Sequence, residues 1–181
     1  MKTLGLFRHA KSDWGDARAR DFDRPLNKRG LKGARIMGEH IRNSGRRFDR
    51  ILASPAVRVS ETIENAAKAW GAASFPVEWD RRIYLATSDG LMDLLRDLEG
   101  DPGAVLMIGH NPGLEDLIFD LVPEGSSPLR EIVEEKFPTA TYAVVELDIE
   151  SWDDIDAGCG RLVEITRPRD LDPELGPVLV E

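Results

Sequence analysis

The chain has 181 residues, 41% of them hydrophobic, a single cysteine and a formal net charge of -9. Such a length and apolar content can bury one substantial core, which favours one domain over residues 1–181. The acidic balance argues against general nucleic-acid binding, Cys159 alone allows neither an internal disulfide nor an all-cysteine zinc site, and no stretch is long enough to span a membrane.

Residues 2–7 predict a first strand, and Arg8 ends it too soon for a signal peptide, so a cytoplasmic protein with no membrane partner is expected. A polar loop over 10–25 leads to a helix over 27–43 with Ile36, Met37 and Ile41 on one face. Residues 51–53 form a second strand. Pro55 suits the first turn of the next helix, which runs to about Trp70 with Gly71 as its stop. After a short strand over 77–79, Ser88 is the expected N-cap of a helix carrying Leu91, Leu94, Leu95 and Leu98, ended by Gly100 and Pro102. A buried strand over 105–108 and a helix over 113–121 follow. Residues 123–138, rich in Pro, Ser, Gly and charge, predict an excursion over the surface. Strands over 142–147 and 161–165 close the pattern, and residues 168–181 form an irregular tail. This alternation predicts an α/β fold: a three-layer α/β/α sandwich on a largely parallel sheet.

In such sheets ligands collect outside the carboxyl ends of the strands. Arg8 and His9 leave the first strand there, and His110 leaves the strand over 105–108 with only Gly109 between. Two distant segments can therefore share one crevice. Charge supports an anionic ligand: residues 1–47 hold 13 Lys and Arg against 5 Asp and Glu, whereas the remainder holds 11 against 28. His40, within the first helix, reads as a surface or packing residue. Trp70, Trp79 and Trp152 read as packing residues, and Trp14 could line an entrance.

The string Leu6-Phe7-Arg8-His9-Ala10-Lys11-Ser12-Asp13-Trp14 resembles the opening motif of the histidine phosphatase superfamily, the phosphoglycerate mutase-like fold. Arg24-Pro25-Leu26 with Gly30 and Ala34, Ala53-Ser54-Pro55-Ala56-Val57-Arg58 with Glu61-Thr62, and Gly109-His110-Asn111-Pro112 resemble further motifs of that family, in family order over about residues 2–121. The Arg-His-Ala-Lys-Ser form is similar to the SixA-type phosphohistidine phosphatases. The resemblance implies a metal-independent hydrolase with no cofactor. His9 would be the nucleophile that carries a phosphoryl group, Arg8 and Arg58 a guanidinium clamp, His110 a donor to the transferring group, and Ser12 a residue near the phosphate, for which a turn or cap role is equally open; backbone N–H groups at Asn111 and the following helix could bind another oxygen.

The chemistry fits those roles. Phosphoryl transfer depends on positioning and charge stabilisation, which paired guanidinium donors supply, and neighbouring guanidinium charges should keep His9 neutral and nucleophilic. Many relatives that cleave alkyl phosphates carry a glutamate general acid before the third helix. Here Asp80-Arg81-Arg82-Ile83-Tyr84-Leu85 offers no clean match, leaving Asp80, Asp13 and Glu61 as candidates. A phosphohistidine needs no such acid, because imidazole can be protonated from solvent near neutral pH. A phosphorylated protein is thus the favoured partner. A phosphatase for a small phosphorylated metabolite, a mutase, a phosphate-binding module without turnover and a metal site on His9, His110 and a carboxylate stay open as alternatives.

Overall fold

The structure, a computed structural model, describes residues 1–70 and 76–178. Strands β1 (Lys2–Arg8), β2 (Arg50–Ala53), β3 (Val77–Trp79), β4 (Ala104–Gly109), β5 (Tyr142–Leu147) and β6 (Gly160–Thr166) form one sheet in the order β3-β2-β4-β1-β5-β6. The first four of these neighbours are parallel; β5 runs antiparallel to β1, and β6 antiparallel to β5. Helices α1 (Lys28–Asn43) and α2 (Val57–Trp70) cover one face. Helices α3 (Ser88–Arg96), α4 (Gly113–Leu121) and α5 (Pro128–Glu135) cover the other, giving the expected α/β/α sandwich.

Both faces are buried, so the central strands are almost continuously apolar. Leu4 and Leu6 of β1 with Val105 and Met107 of β4 point into the α3–α4 core, whereas Phe7, Leu106 and Ile108 point into the α1–α2 core. The two helices α1 and α2 approach closely because Gly38 faces the Ala66 backbone, where an added Cβ would lie 2.4 Å from the carbonyl oxygen. The inward side of α1 is Gly30, Ala34, Met37 and Ile41, so the expected face is turned slightly: Met37 and Ile41 are buried, Ile36 only half-buried.

Several local expectations change. The α3 cap is Thr87, whose hydroxyl accepts from Gly90 N, so Ser88 falls inside the helix, and α3 ends at Arg96 before Leu98. The excursion over 123–138 contains α5, started by Ser127 and Pro128 and docked through buried Val133. The tail is more ordered than its prolines suggest. A short helix α6 (Pro168–Leu171) is followed by a segment strapped to α1, where Arg29 donates to the carbonyls of Glu174 and Gly176 and Lys32 pairs with Asp172 and Glu174. Gly71, the expected stop of α2, lies outside the described residues. Trp152 packs as expected and donates to the Pro102 carbonyl, but Trp79 is half exposed on the edge strand. Among the described residues no helix is long and apolar enough to cross a membrane.

Candidate active site

Register alone brings the three motif segments together. Arg8 lies opposite Gly109, and Ala53 opposite Ile108, so β1, β4 and β2 end side by side. The next residues, His9, His110 and Ser54, leave that common edge in adjacent turns, tied by His9 N to Gly109 O and Ser54 N to Ile108 O. The loop after His9 is fixed from two sides. Thr62 of α2 accepts from Ala10 N and donates to the Arg58 carbonyl, while Gly30 of α1 faces Lys11, where an added Cβ would sit 2.1 Å from its carbonyl oxygen. The close glycine contact lets α1 begin against the turn that carries His9.

Arg58 organises the centre. Its Nε donates to His9 Nε2 at 3.3 Å, its Nη1 to the Asp21 carbonyl at 2.6 Å, and its Nη2 both to the Asp21 carboxylate at 3.0 Å and to His110 Nδ1 at 3.2 Å. A guanidinium only donates, so His9 Nε2 and His110 Nδ1 must both present lone pairs. The tautomers follow. His9 carries its proton on Nδ1, which donates to the Ala10 carbonyl at 2.7 Å, and His110 carries its proton on Nε2, which donates to Ser54 Oγ at 2.8 Å.

Both rings are neutral at physiological pH. Burial, opposed by the Ala10 hydrogen bond and aided by the Arg58 and Arg8 charges, pulls His9 down to about 4. Burial, then the charges of His9 and Arg58, pull His110 down to about 3. The expected guanidinium effect is therefore present but secondary to desolvation. Arg8 donates to the Phe137 carbonyl at 2.8 Å, and its buried Nε has no partner among the described residues, which leaves it donors for a ligand.

A cavity of about 410 Å³ opens beside this network. Arg8, His9, Ser12 and Arg58 line it, with Trp14 at the rim, 69% exposed. His110 and Asn111 do not. His110 sits behind Arg58, both ring nitrogens engaged, so in this arrangement it orients the guanidinium instead of donating into the cavity. The Asn111 side-chain amide donates to Glu115 and to the Phe137 carbonyl. Asp80 is also away from the cavity: it caps the turn at Arg82 and is ion-paired with that side chain, whose hydrogen bond holds the carboxyl below its usual range. Asp13 and Glu61 accept from backbone amides, of Gly15 and of Leu26.

Sequence reasoning missed Asp21 and Tyr84. Asp21 lines the cavity, and its carboxylate accepts from Tyr84 Oη at 2.6 Å as well as from Arg58; the Tyr84 bond, more than the Arg58 charge, holds it below the usual carboxylate range. Tyr84 in turn stands edge-on to His110 with ring centres 5.4 Å apart. No periodicity marks an acid in a polar loop, although Tyr84 lay within the string searched for a proton donor. His40 is not among the residues lining the cavity and bonds Glu164 on β6. Among the described residues no group of three or more His, Cys, Asp or Glu converges as a metal site.

Comparison with known proteins gives a family and a fold. The profile of the histidine phosphatase superfamily, branch 1, matches residues 4–84. An uncharacterized protein of Mycobacterium tuberculosis is 30% identical over 164 residues, which are 90% of this chain and 99% of that protein. A crystal structure assigned as phosphohistidine phosphatase SixA from Agrobacterium tumefaciens is 27% identical, with a TM-score of 0.77 over 92% of this chain and 98% of that one. Another so assigned, from Nakamurella multipartitia, is 26% identical, with a TM-score of 0.78 over 92% and 96%.

Proposed function

The chain belongs to the histidine phosphatase superfamily and is a phosphatase, and we propose that it hydrolyses phosphohistidine through a phosphoryl group carried on His9. The state of His9 carries this reading: a neutral imidazole whose Nδ1 proton is held by Ala10 O, whose Nε2 lone pair lies within reach of Arg58, and which lines the cavity. A nitrogen so presented is a nucleophile at neutral pH.

In the first step the His9 Nε2 lone pair forms a bond to phosphorus while the phosphorus–nitrogen bond of the substrate breaks. The departing imidazole keeps that electron pair and leaves as a neutral ring once protonated from solvent. Arg58 gives up its bond to Nε2 and, with Arg8, donates to the phosphoryl oxygens, where charge must be stabilised. Water then attacks phosphorus, His9 recovers its lone pair, and phosphate and a proton are released. No metal enters the scheme.

The cavity's acids support this substrate class. Asp21 is the only carboxyl among the described lining residues, and Tyr84 and Arg58 hold it ionised, which makes it a poor proton donor. An alkoxide leaving group without a donor forfeits roughly 100- to 10,000-fold in rate, a loss that imidazole avoids. The likeness to the two structures assigned as SixA supports the same choice. Acid-quench labelling with a phosphohistidine peptide should trap acid-labile phosphate on the unmodified chain and none on His9→Ala. Faster turnover of an alkyl phosphate ester than of the peptide at equal concentration would reject the substrate.

A further inference from the structure

The cavity is more cationic than one phosphoryl group requires. Acids outnumber bases 33 to 24 in the whole chain, yet the described residues lining the cavity include six Lys or Arg and a single acid, Asp21. Arg8 and Arg58 serve the phosphoryl group in the scheme above. Lys11, Arg29, Lys136 and Arg169 remain, contributed by the loop after β1, by α1, by the end of α5 and by α6.

These charges form no close ion pairs. Lys11, Lys136 and Arg169 form no ion pair among the described residues, and Arg29 is bonded to the Glu174 and Gly176 carbonyls, which are neutral. Elsewhere many bases are paired, as Lys32 with Asp172, Arg82 with Asp97 and Arg161 with Glu146, although others, Arg18, Lys28 and Arg35 among them, form no ion pair among the described residues. Concentrating like charges around one concavity raises the local concentration of anions and strengthens their capture. The cavity volume also exceeds the need of an orthophosphate and lies in the range that admits a ligand of many atoms. At its rim Trp14 offers an exposed indole backed by the Arg24 guanidinium 4.1 Å from its ring centre, a surface against which a polypeptide can lie.

We propose that Lys11, Lys136 and Arg169 form a second anion-recognising wall, which selects phosphohistidine set among acidic residues of a polypeptide. This rests on the reading of the enzyme as a phosphohistidine phosphatase. The flanking Asp or Glu carboxylates of the substrate meet the lysines and Arg169, while its phosphoryl group meets Arg8 and Arg58.

The test uses the full chain with three phosphohistidine peptides of one length, flanked by Glu, Gln or Lys, and with free phosphohistidine. At low ionic strength kcat/KM should be about fivefold higher for the Glu peptide than for the Gln peptide, and lowest for the Lys peptide, with the differences closing as salt is added. The double variant Lys136→Gln, Arg169→Gln should lose the Glu advantage through KM and keep turnover of the Gln peptide within about twofold; its thermal melt establishes that it is folded. Equal kcat/KM across the peptides, or a Glu preference that survives the double variant, overturns the acidic wall and leaves phosphohistidine hydrolysis standing. Free phosphohistidine turning over as fast as the Glu peptide overturns the polypeptide requirement. Turnover of an alkyl phosphate with none of any phosphohistidine overturns the underlying function instead.

Discussion

Four of the five N–H groups of Arg58 are engaged before any substrate arrives: with His9, with His110 and twice with Asp21. Phosphate therefore competes with the Asp21 carboxylate for the charge of one guanidinium. Asp21→Asn removes the competing charge and should tighten binding of inorganic phosphate, a competitive inhibitor, by roughly three- to tenfold, measured as Ki. Unchanged inhibition would show that Asp21 and phosphate do not compete. The depressed value of His9 has a kinetic counterpart. A histidine of ordinary pKa would begin to lose its nucleophile near pH 6.5, but burial moves that limb to about 4. After spontaneous hydrolysis is subtracted, kcat/KM should show no acid limb between pH 7 and 5. Arg8, His9 and Arg58 were legible because each sits in a short motif at a predicted strand end or helix start. Asp21 was not, because its role depends on meeting a guanidinium 37 residues away, which no local pattern encodes.

Among the elements, α1 bears on the site and on stability through two different glycines. Gly30→Ala would drive a Cβ into the Lys11 carbonyl, in the turn that holds His9, whereas Gly38→Ala would drive one into Ala66 at the helix–helix contact, remote from the cavity. Each overpacking should cost on the order of 1–3 kcal/mol of stability, read from urea unfolding. Only Gly30→Ala should also lower kcat, by about tenfold or more, since displacements near 1 Å at reacting groups are costly. Equal kcat in the two variants would argue that the turn absorbs the shift. The strands and long helices were readable from period and from turn residues. Two features were not: α5 is hidden in a polar, proline-bearing stretch because its burial rests mainly on Val133, and the tail is ordered by Arg29 and Lys32 reaching it from across the fold, not by its own propensity.

For the whole molecule, the buried neutral histidines tie stability to pH. Unfolded, each takes up a proton near pH 6.5; folded, His9 and His110 resist until about 4 and about 3. Between these limits the unfolded state binds more protons, so stability is unaffected above about 6.5 and falls as pH drops below it, by about 2 kcal/mol for each histidine by pH 5. Urea midpoints of the unmodified chain should therefore decline from pH 7 to 5, and His110→Asn should decline less steeply; parallel declines would assign the effect to other groups. The fold class was legible at this scale from the β–α alternation, while the crowding of bases around one cavity was only half visible, since Lys136 and Arg169 come from the acidic remainder of the chain. The parallel strands also set the cavity at one end of the sheet, away from the start of β1. Met1 precedes β1, whose seven residues span roughly 20 Å before Arg8 is reached, whereas Val178, 68% exposed, stands at the cavity itself. A fluorophore attached at position 178 would thus sense occupancy directly, and one at position 1 would serve as its silent internal reference.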